Sequence, residues 1–361
     1  MINAVKVYSG VKGSLGMPFN EVRKDYLLDR WVVIATGRGR RPTDFAKQQT
    51  RPAKAGVCPM CPGNEHMTPP AFLVYLRSHG SIKKTEDRGD QKHKNWLIRV
   101  IPNLYPAFSA PQDKVDSKLI SKSQNLTMAV GHHEVLVESP IHDEHPANAR
   151  TTQLALVIDG YVDRLCQLSS KPYIQYVSIF RNHGLEAGAS LSHAHSQIIA
   201  TPFVPTIVKD EIKAAKKFWK ENGKCVFCDI IEKESRGPRL VLENAKFAVF
   251  TPYASINPME FWMFPKNHES SLLDMQEGEV KTLAETLKES LGRLKCLVND
   301  PPYNFGFHQT TSKEASGYYH WHLEVYPKLA TWAGFEKSTG VYINTMTPET
   351  AAESMREASS N

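Results

Sequence analysis

Read for its apolar and polar positions, the chain falls into a strand and helix order that occurs twice. Trp31-Val32-Val33-Ile34 is a β-branched run that predicts a short strand, closed by the polar turn Thr36 to Pro42. Glu134 to Glu138 alternates and predicts a strand with one buried face. Leu154, Ile158, Tyr161, Val162, Leu165 and Leu168 recur at helical spacing, so an amphipathic helix is expected there. Strands follow at Tyr173 to Phe180 and His193 to Pro202, separated by a turn carrying Gly184 and Gly188. The second cycle has strands at Phe247 to Tyr253 and Glu260 to Pro265. Its helix carries Val280, Leu283, Leu287, Leu291, Leu294 and Val298, and its last strands run Tyr303 to His308 and His320 to Pro327. Residues 1–20 lack periodicity and read as a loose arm, while the polar stretch Ser78 to Asn95 reads as a loop. A duplicated α+β unit is the economical reading, with one half over 21–205 and the other over 206–361.

Composition narrows the class. At 361 residues the chain can bury an ample core, and 41% hydrophobic with 23% charged residues excludes collagenous, coiled-coil and wholly disordered classes. No apolar run approaches the length of a membrane helix, and Met1 to Phe19 lacks a continuous apolar region, so a soluble, cytoplasmic protein without a membrane partner is expected. The net charge of +6 is scattered apart from Arg38, Arg40 and Arg41, which favours an anionic small substrate as readily as nucleic acid.

Cysteine and histidine change the picture most. Four of the six cysteines form two CxxC pairs, which in a chain without a secretion signal favour metal or redox chemistry over disulfides. Each half contains, in order, CxxC, a His after a strand, and HxH: Cys58, Cys61, His142 and His193/His195, then Cys225, Cys228, His268 and His320/His322. The last intervals nearly match, 51 residues from His142 to His193 and 52 from His268 to His320. Two thiolates with two imidazoles suit tetrahedral zinc, so two structural zinc ions per chain are expected. His132, His133 and His145 compete with His142 and read as solvated or capping residues, and Cys166 and Cys296 read as buried small hydrophobes. If His193 completes the first zinc site, His195 is left for chemistry: a neutral imidazole can attack phosphorus. Gln197 lies on the same strand face and can donate to a phosphoryl oxygen.

The run Asn182 to Gln197, with Cys58-Pro59-Met60-Cys61-Pro62-Gly63-Asn64 and Arg38-Gly39-Arg40-Arg41-Pro42, resembles the galactose-1-phosphate uridylyltransferase family of the histidine-triad superfamily. That resemblance spans Arg23 to about Glu357. It implies two histidine-triad-like halves, each a mostly antiparallel sheet with packed helices, and assembly as a homodimer. It also implies ping-pong transfer of a nucleoside monophosphate from a nucleotide sugar to a sugar 1-phosphate or to phosphate, through a nucleotidyl-histidine. His195 would be the nucleophile, His193 a zinc ligand with Cys58, Cys61 and His142, and Gln197 the phosphoryl-oxygen donor. Arg38, Arg41, Asn103, Asn182, Gly188 and Ser190 fall where the family contacts nucleotide and phosphates, and Glu336 falls in its sugar-binding segment.

Two departures matter. The family's usual text is His-Pro-His-Gly-Gln, whereas this chain has Ala194 and Ser196, so Ser196 adds a hydroxyl that could bond the transferred phosphate or fill space. His-x-His-Ser-Gln, Arg41-Pro42-Thr43-Asp44-Phe45 and Asn299 to Asn304 resemble instead the ADP-glucose:phosphate adenylyltransferase branch. UDP-hexose with hexose 1-phosphate ranks first as the substrate pair and ADP-glucose with phosphate second. In the second half His322 is followed by Leu323-Glu324 instead of a residue and Gln, so that half is expected to be catalytically silent. A zinc-containing nucleic-acid binder is the competing class, but the ligand intervals are far longer than those of compact fingers and no long basic stripe exists.

Overall fold

The computed structural model describes residues 20–35, 42–45, 57–111 and 128–358; the arm expected at 1–20, apart from Asn20, lies outside them, as do Arg38 and Arg41. The first half runs β1 (Glu21–Lys24), β2 (Trp31–Ile34), β3 (Leu73–Ser78), β4 (Ser81–Thr85), β5 (Trp96–Pro102), β6 (His132–Val137), α1 (Thr151–Ser169), β7 (Tyr176–His183) and β8 (His195–Thr201). The second begins with α2 (Thr206–Asn222) and α3 (Val226–Glu234), then β9 (Leu240–Glu243), β10 (Phe247–Phe250), β11 (Phe261–Pro265), α4 (Glu279–Val298), β12 (Tyr303–His308) and β13 (His322–Pro327). It closes with α5 (Gly334–Thr339), β14 (Tyr342–Asn344) and α6 (Pro348–Glu357).

The two halves share one sheet. Eleven strands lie in the order β4-β3-β5-β6-β8-β7-β12-β13-β11-β10-β9, and a three-stranded sheet β1-β2-β14 stands beside it. The seam is the antiparallel β7 and β12 pair, where Asn182 faces Asn304 and Phe180 faces Gly306. One face of the sheet carries α1 and α4, whose buried Leu154, Ile158, Leu165, Leu287 and Leu291 join Leu136, Ile198 and Phe305 in a single core. Gly160 lets α1 approach closely, since a Cβ there would meet Ile98 Cδ1 at 2.7 Å and Leu136 Cδ1 at 3.0 Å.

The opposite face is treated differently in the two halves. Over the second half, α2 and α3 bury Val208, Ala215 and Phe227 against Phe250, Trp262 and Phe264. Over the first half, a smaller cluster of Met60, Val135 and Val137 packs under the Cys58 to Cys61 turn.

Three sequence expectations are corrected. Within Ser78 to Asn95, Ser-Ile-Lys-Lys-Thr forms β4, an exposed edge strand whose lysines suppress its hydropathy and guard its open edge. Cys166 and Cys296 are exposed, because each falls on the outward side of its helix. His132, His133 and His145 are engaged: His132 Nε2 meets Tyr173 Oη at 2.8 Å, His145 Nδ1 meets Arg181 Nη2 at 2.8 Å, and His133 belongs to the site below.

Candidate active site

The two CxxC pairs, one in a turn and the other at the start of α3, are each brought to their own histidines. Cys58, Cys61, His142 and His193 form one cluster, Cys225, Cys228, His268 and His320 another, with the donor atoms of each within 4.8 Å of one another. In the first, Cys61 Sγ lies 3.3 Å from His142 Nδ1 and 3.5 Å from His193 Nδ1, and Cys58 Sγ lies 3.7 Å from His193 Nδ1. In the second, Cys228 Sγ lies 3.5 Å from His268 Nδ1 and 3.6 Å from His320 Nδ1. Tetrahedral zinc places sulfur and nitrogen ligands about 3.6 Å apart, so both donor sets fit that ion. The imidazoles are preset for it: His193 Nε2 donates to Ser139 O and His320 Nε2 to Pro265 O, at 2.8 and 2.9 Å, which turns Nδ1 inward. Burial and the neighbouring Cys58 push the Cys61 thiol up to about 11, a penalty that a cation would reverse.

His193 sits in the turn before β8, so its ring enters the metal cluster while the strand begins at His195. His195 Nδ1 donates to His193 O at 2.7 Å, which leaves Nε2 unprotonated with its lone pair free. Burial holds this imidazole below its usual range against the opposing hydrogen bond to His193 O, keeping it neutral near pH 7. Two residues along the same face, Gln197 Oε1 lies 2.8 Å from His133 Nε2, and Asn103 Nδ2 lies 3.1 Å from that same nitrogen. Asn182 shares the face through the pairing of Phe180 with Gln197, and its Oδ1 accepts from Asn304 Nδ2 at 2.8 Å. Gly188 has φ 90°, and a Cβ there would lie 3.7 Å from Asn182 Nδ2; Ser190 is exposed in the same turn.

Ser196 is a correction. Strand parity sends it to the other face from His195 and Gln197, where it is fully buried. There its Oγ meets Tyr161 Oη at 2.5 Å and donates to the Glu138 carboxylate. Glu138 in turn accepts from Arg181 Nε at 2.9 Å, both side chains being buried. The hydroxyl therefore supports the strand from behind and does not face a phosphate. Glu336 lies at the start of α5 beside the small sheet, where its Oε2 accepts from Ala333 N at 3.0 Å. Sequence reasoning missed His133, Glu138, Arg181 and Tyr161, none of which carries a local motif; only strand parity around His195 could have suggested them.

The second half repeats the frame with a different content. His322 takes the place of His195 and Glu324 that of Gln197. His322 Nδ1 again meets the carbonyl two residues earlier, His320 O, at 3.2 Å. Its ring is boxed by Phe264, Phe227 and Trp262, with centroids at 4.8, 5.3 and 5.8 Å, and only 1% of the residue is exposed, against 7% for His195. Its Nε2 faces Glu324 Oε1 at 3.3 Å, and His308 Nδ1 lies 2.9 Å from Glu211 Oε1 on α2.

Fold and site together define a two-half α+β protein in which a thiol and imidazole cluster stands at the start of the strand that carries His195. The family model described as the N-terminal domain of galactose-1-phosphate uridyl transferase matches residues 83–205, and a model described as a domain of unknown function matches 145–360. The ADP-glucose phosphorylase of Arabidopsis thaliana is 33% identical over 94% of this chain and 93% of its own length. The galactose-1-phosphate uridylyltransferase of Thermotoga maritima is 30% identical over 93% of this chain and 98% of its own. Among solved structures, the Arabidopsis ADP-glucose phosphorylase with bound ADP-glucose matches with a TM-score of 0.76 at 31% identity, covering 94% of this chain and 100% of that one. A uridylyltransferase matches with a TM-score of 0.69 at 27% identity, over 94% and 97%. The chain belongs to the galactose-1-phosphate uridylyltransferase family, a family of enzymes.

Proposed function

We propose that this protein transfers a nucleoside monophosphate from a nucleotide sugar through a covalent nucleotidyl-histidine at His195. The observation that carries the reading is the His195 imidazole, held neutral with Nδ1 spent on His193 O and Nε2 on the face of Gln197. His195 Nε2 attacks the α-phosphorus; the nitrogen–phosphorus bond forms as the bond to the sugar phosphate breaks, and the sugar 1-phosphate leaves with the electron pair. The Gln197 amide stabilises the charge that develops on the phosphoryl oxygen. A sugar 1-phosphate or phosphate then attacks the same phosphorus from the other side and frees the imidazole. Arg38, Arg41, Asn103, Asn182, Gly188 and Ser190 hold nucleotide and phosphates, and Glu336 serves the sugar.

Zinc in the two clusters supplies folding free energy and fixes the turn from which His195 projects, with one ion per cluster. A cytoplasmic homodimer completes the reading. UDP-hexose with hexose 1-phosphate is the substrate pair that family membership supports. A second reading, ADP-glucose with phosphate, is favoured by the higher identity and TM-score of the Arabidopsis phosphorylase. A donor screen with UDP-glucose, UDP-galactose and ADP-glucose, each with galactose 1-phosphate or phosphate, tests both. Turnover with none of the six pairs would refute nucleotidyl transfer from these sugars.

A further inference from the structure

Gln197 can serve a phosphoryl oxygen only if its amide is turned the right way. An amide has an acceptor end and a donor end of almost the same shape, and the acceptor end facing phosphate would repel it. Something must therefore fix which end faces the open site.

His133 supplies that constraint. It lies on β6, on the same face as Gln197, because Val135 is the residue opposite Gln197 and His133 is two positions away. The backbone N–H of Ala107 donates to His133 Nδ1 at 3.1 Å. A backbone donor cannot be turned round, so Nδ1 bears the lone pair and Nε2 the proton. That proton is directed at Gln197 Oε1, 2.8 Å away. The Asn103 amide nitrogen, 3.1 Å from the same Nε2, is the competing donor; being a side chain it can turn aside, whereas the Ala107 N–H cannot, so it makes no hydrogen bond to the protonated nitrogen. The acceptor end of the amide is thereby occupied, and its two N–H donors are left for the substrate side. The loop that carries Ala107 is itself tied to β6, since Asn103 N donates to His133 O at 2.9 Å and Tyr105 N to Asn103 Oδ1 at 2.9 Å.

We infer that His133 is a positioning residue that orients the Gln197 amide for phosphoryl transfer. The inference rests on the nucleotidyl-His195 reading. The second half lacks the device: Glu324, in the place of Gln197, has no donor end to orient.

The test is a double-mutant cycle read by single-turnover labelling of His195, using radiolabelled UDP-glucose and ADP-glucose as probes. His133→Leu should slow labelling about 10- to 100-fold, since one phosphoryl-oxygen donor is worth about 10²- to 10³-fold. The donor concentration giving half-maximal rate should shift by less than about threefold, because the loop contacts of the His133 backbone remain. In the Gln197→Ala background the same substitution should change the rate by less than about twofold, because its effect passes through the amide. His133→Gln, which keeps one acceptor and one donor, should regain most of the rate. Melting temperatures of the variants within a few degrees of wild type accompany that result. Equal slowing by His133→Leu in both backgrounds, or a loss confined to donor affinity, would overturn the positioning role while leaving the nucleophile in place. Absence of label on the wild type would overturn the reading and the inference together.

Discussion

The two halves of this chain set the same frame around two different outcomes. Each holds two thiols and two imidazoles in one cluster, with the inner histidine of HxH pinned by Nε2 to a backbone carbonyl. Each then presents a second histidine whose Nδ1 faces the carbonyl two residues back. The first half follows with an amide on the same face, and the second with a carboxylate, which would repel a phosphate. The second half also covers that face with α2 and α3, sealing His322 among aromatic rings and beside Glu211. The thiol and imidazole frame therefore occurs with two different surroundings. One copy leaves the strand end at His195 without a helical cover, and the other has turned the same strand end into core.

The difference can be broken at its strongest point first. His195→Ala should lower nucleotidyl transfer by at least about 10⁴-fold with zinc content unchanged, as for removal of a nucleophile elsewhere, whereas His322→Ala should leave turnover within about threefold. Parallel steady-state assays and elemental analysis measure both. Next, Cys61→Ser and Cys228→Ser should each lose one zinc and lower the melting temperature by about 5 to 10 °C. Only the first should also stop transfer, because only that cluster fixes the turn before His195. Calorimetry with matched activity assays separates the two.

Smaller effects sharpen the contrast between the faces of β8. Ser196→Ala should cost about 1 to 3 kcal/mol of stability by stranding the Glu138 carboxylate and Tyr161 hydroxyl. The ratio of kcat/KM for UDP-glucose and ADP-glucose should stay within about threefold of wild type, since the hydroxyl faces away from the substrate. Denaturant titration and paired kinetics check this.

The smallest effect lies in pH. Burial opposes both charges of the His308 and Glu211 pair, yet each side's attraction prevails, with Glu324 adding to the first: the imidazole rises to about 9 and the carboxylate falls to about 2. A raised imidazole contributes stability that is full below its ordinary value near 6.5 and is lost as pH rises through about 9. The depressed carboxylate contributes above its ordinary value near 4.5 and loses that contribution as pH falls towards about 2. Between pH 6.5 and 9.5 the melting temperature should therefore fall more steeply in wild type than in His308→Gln.

Where local pattern determines the structure, the sequence was sufficient. β2 and β12 lie over their expected residues, and α1 and α4 enclose the helical repeats that mark them. The clusters were legible because CxxC and HxH keep their order and spacing across a duplication. β4 was hidden because an exposed edge strand needs no apolar face, and α2 because its surface is largely lysine. Ser196 shows a different limit. Its neighbours in sequence are site residues, but alternation along β8 turns it towards α1, and only its partners Tyr161 and Glu138 reveal its role. His133 was obscured by its own neighbours, since the row His132, His133 gives no sign of which ring reaches β8.

Whether one half carries the reaction on one nitrogen atom is decided by quenching the wild-type protein with nucleotide sugar under alkaline conditions, digesting it, and mapping the added mass by fragmentation. A single nucleoside monophosphate is expected on the peptide containing His195, labile to acid and absent from His195→Ala. A nucleotide on the His322 peptide, or sustained transfer by His195→Ala, would rule out His195 as the nucleophile.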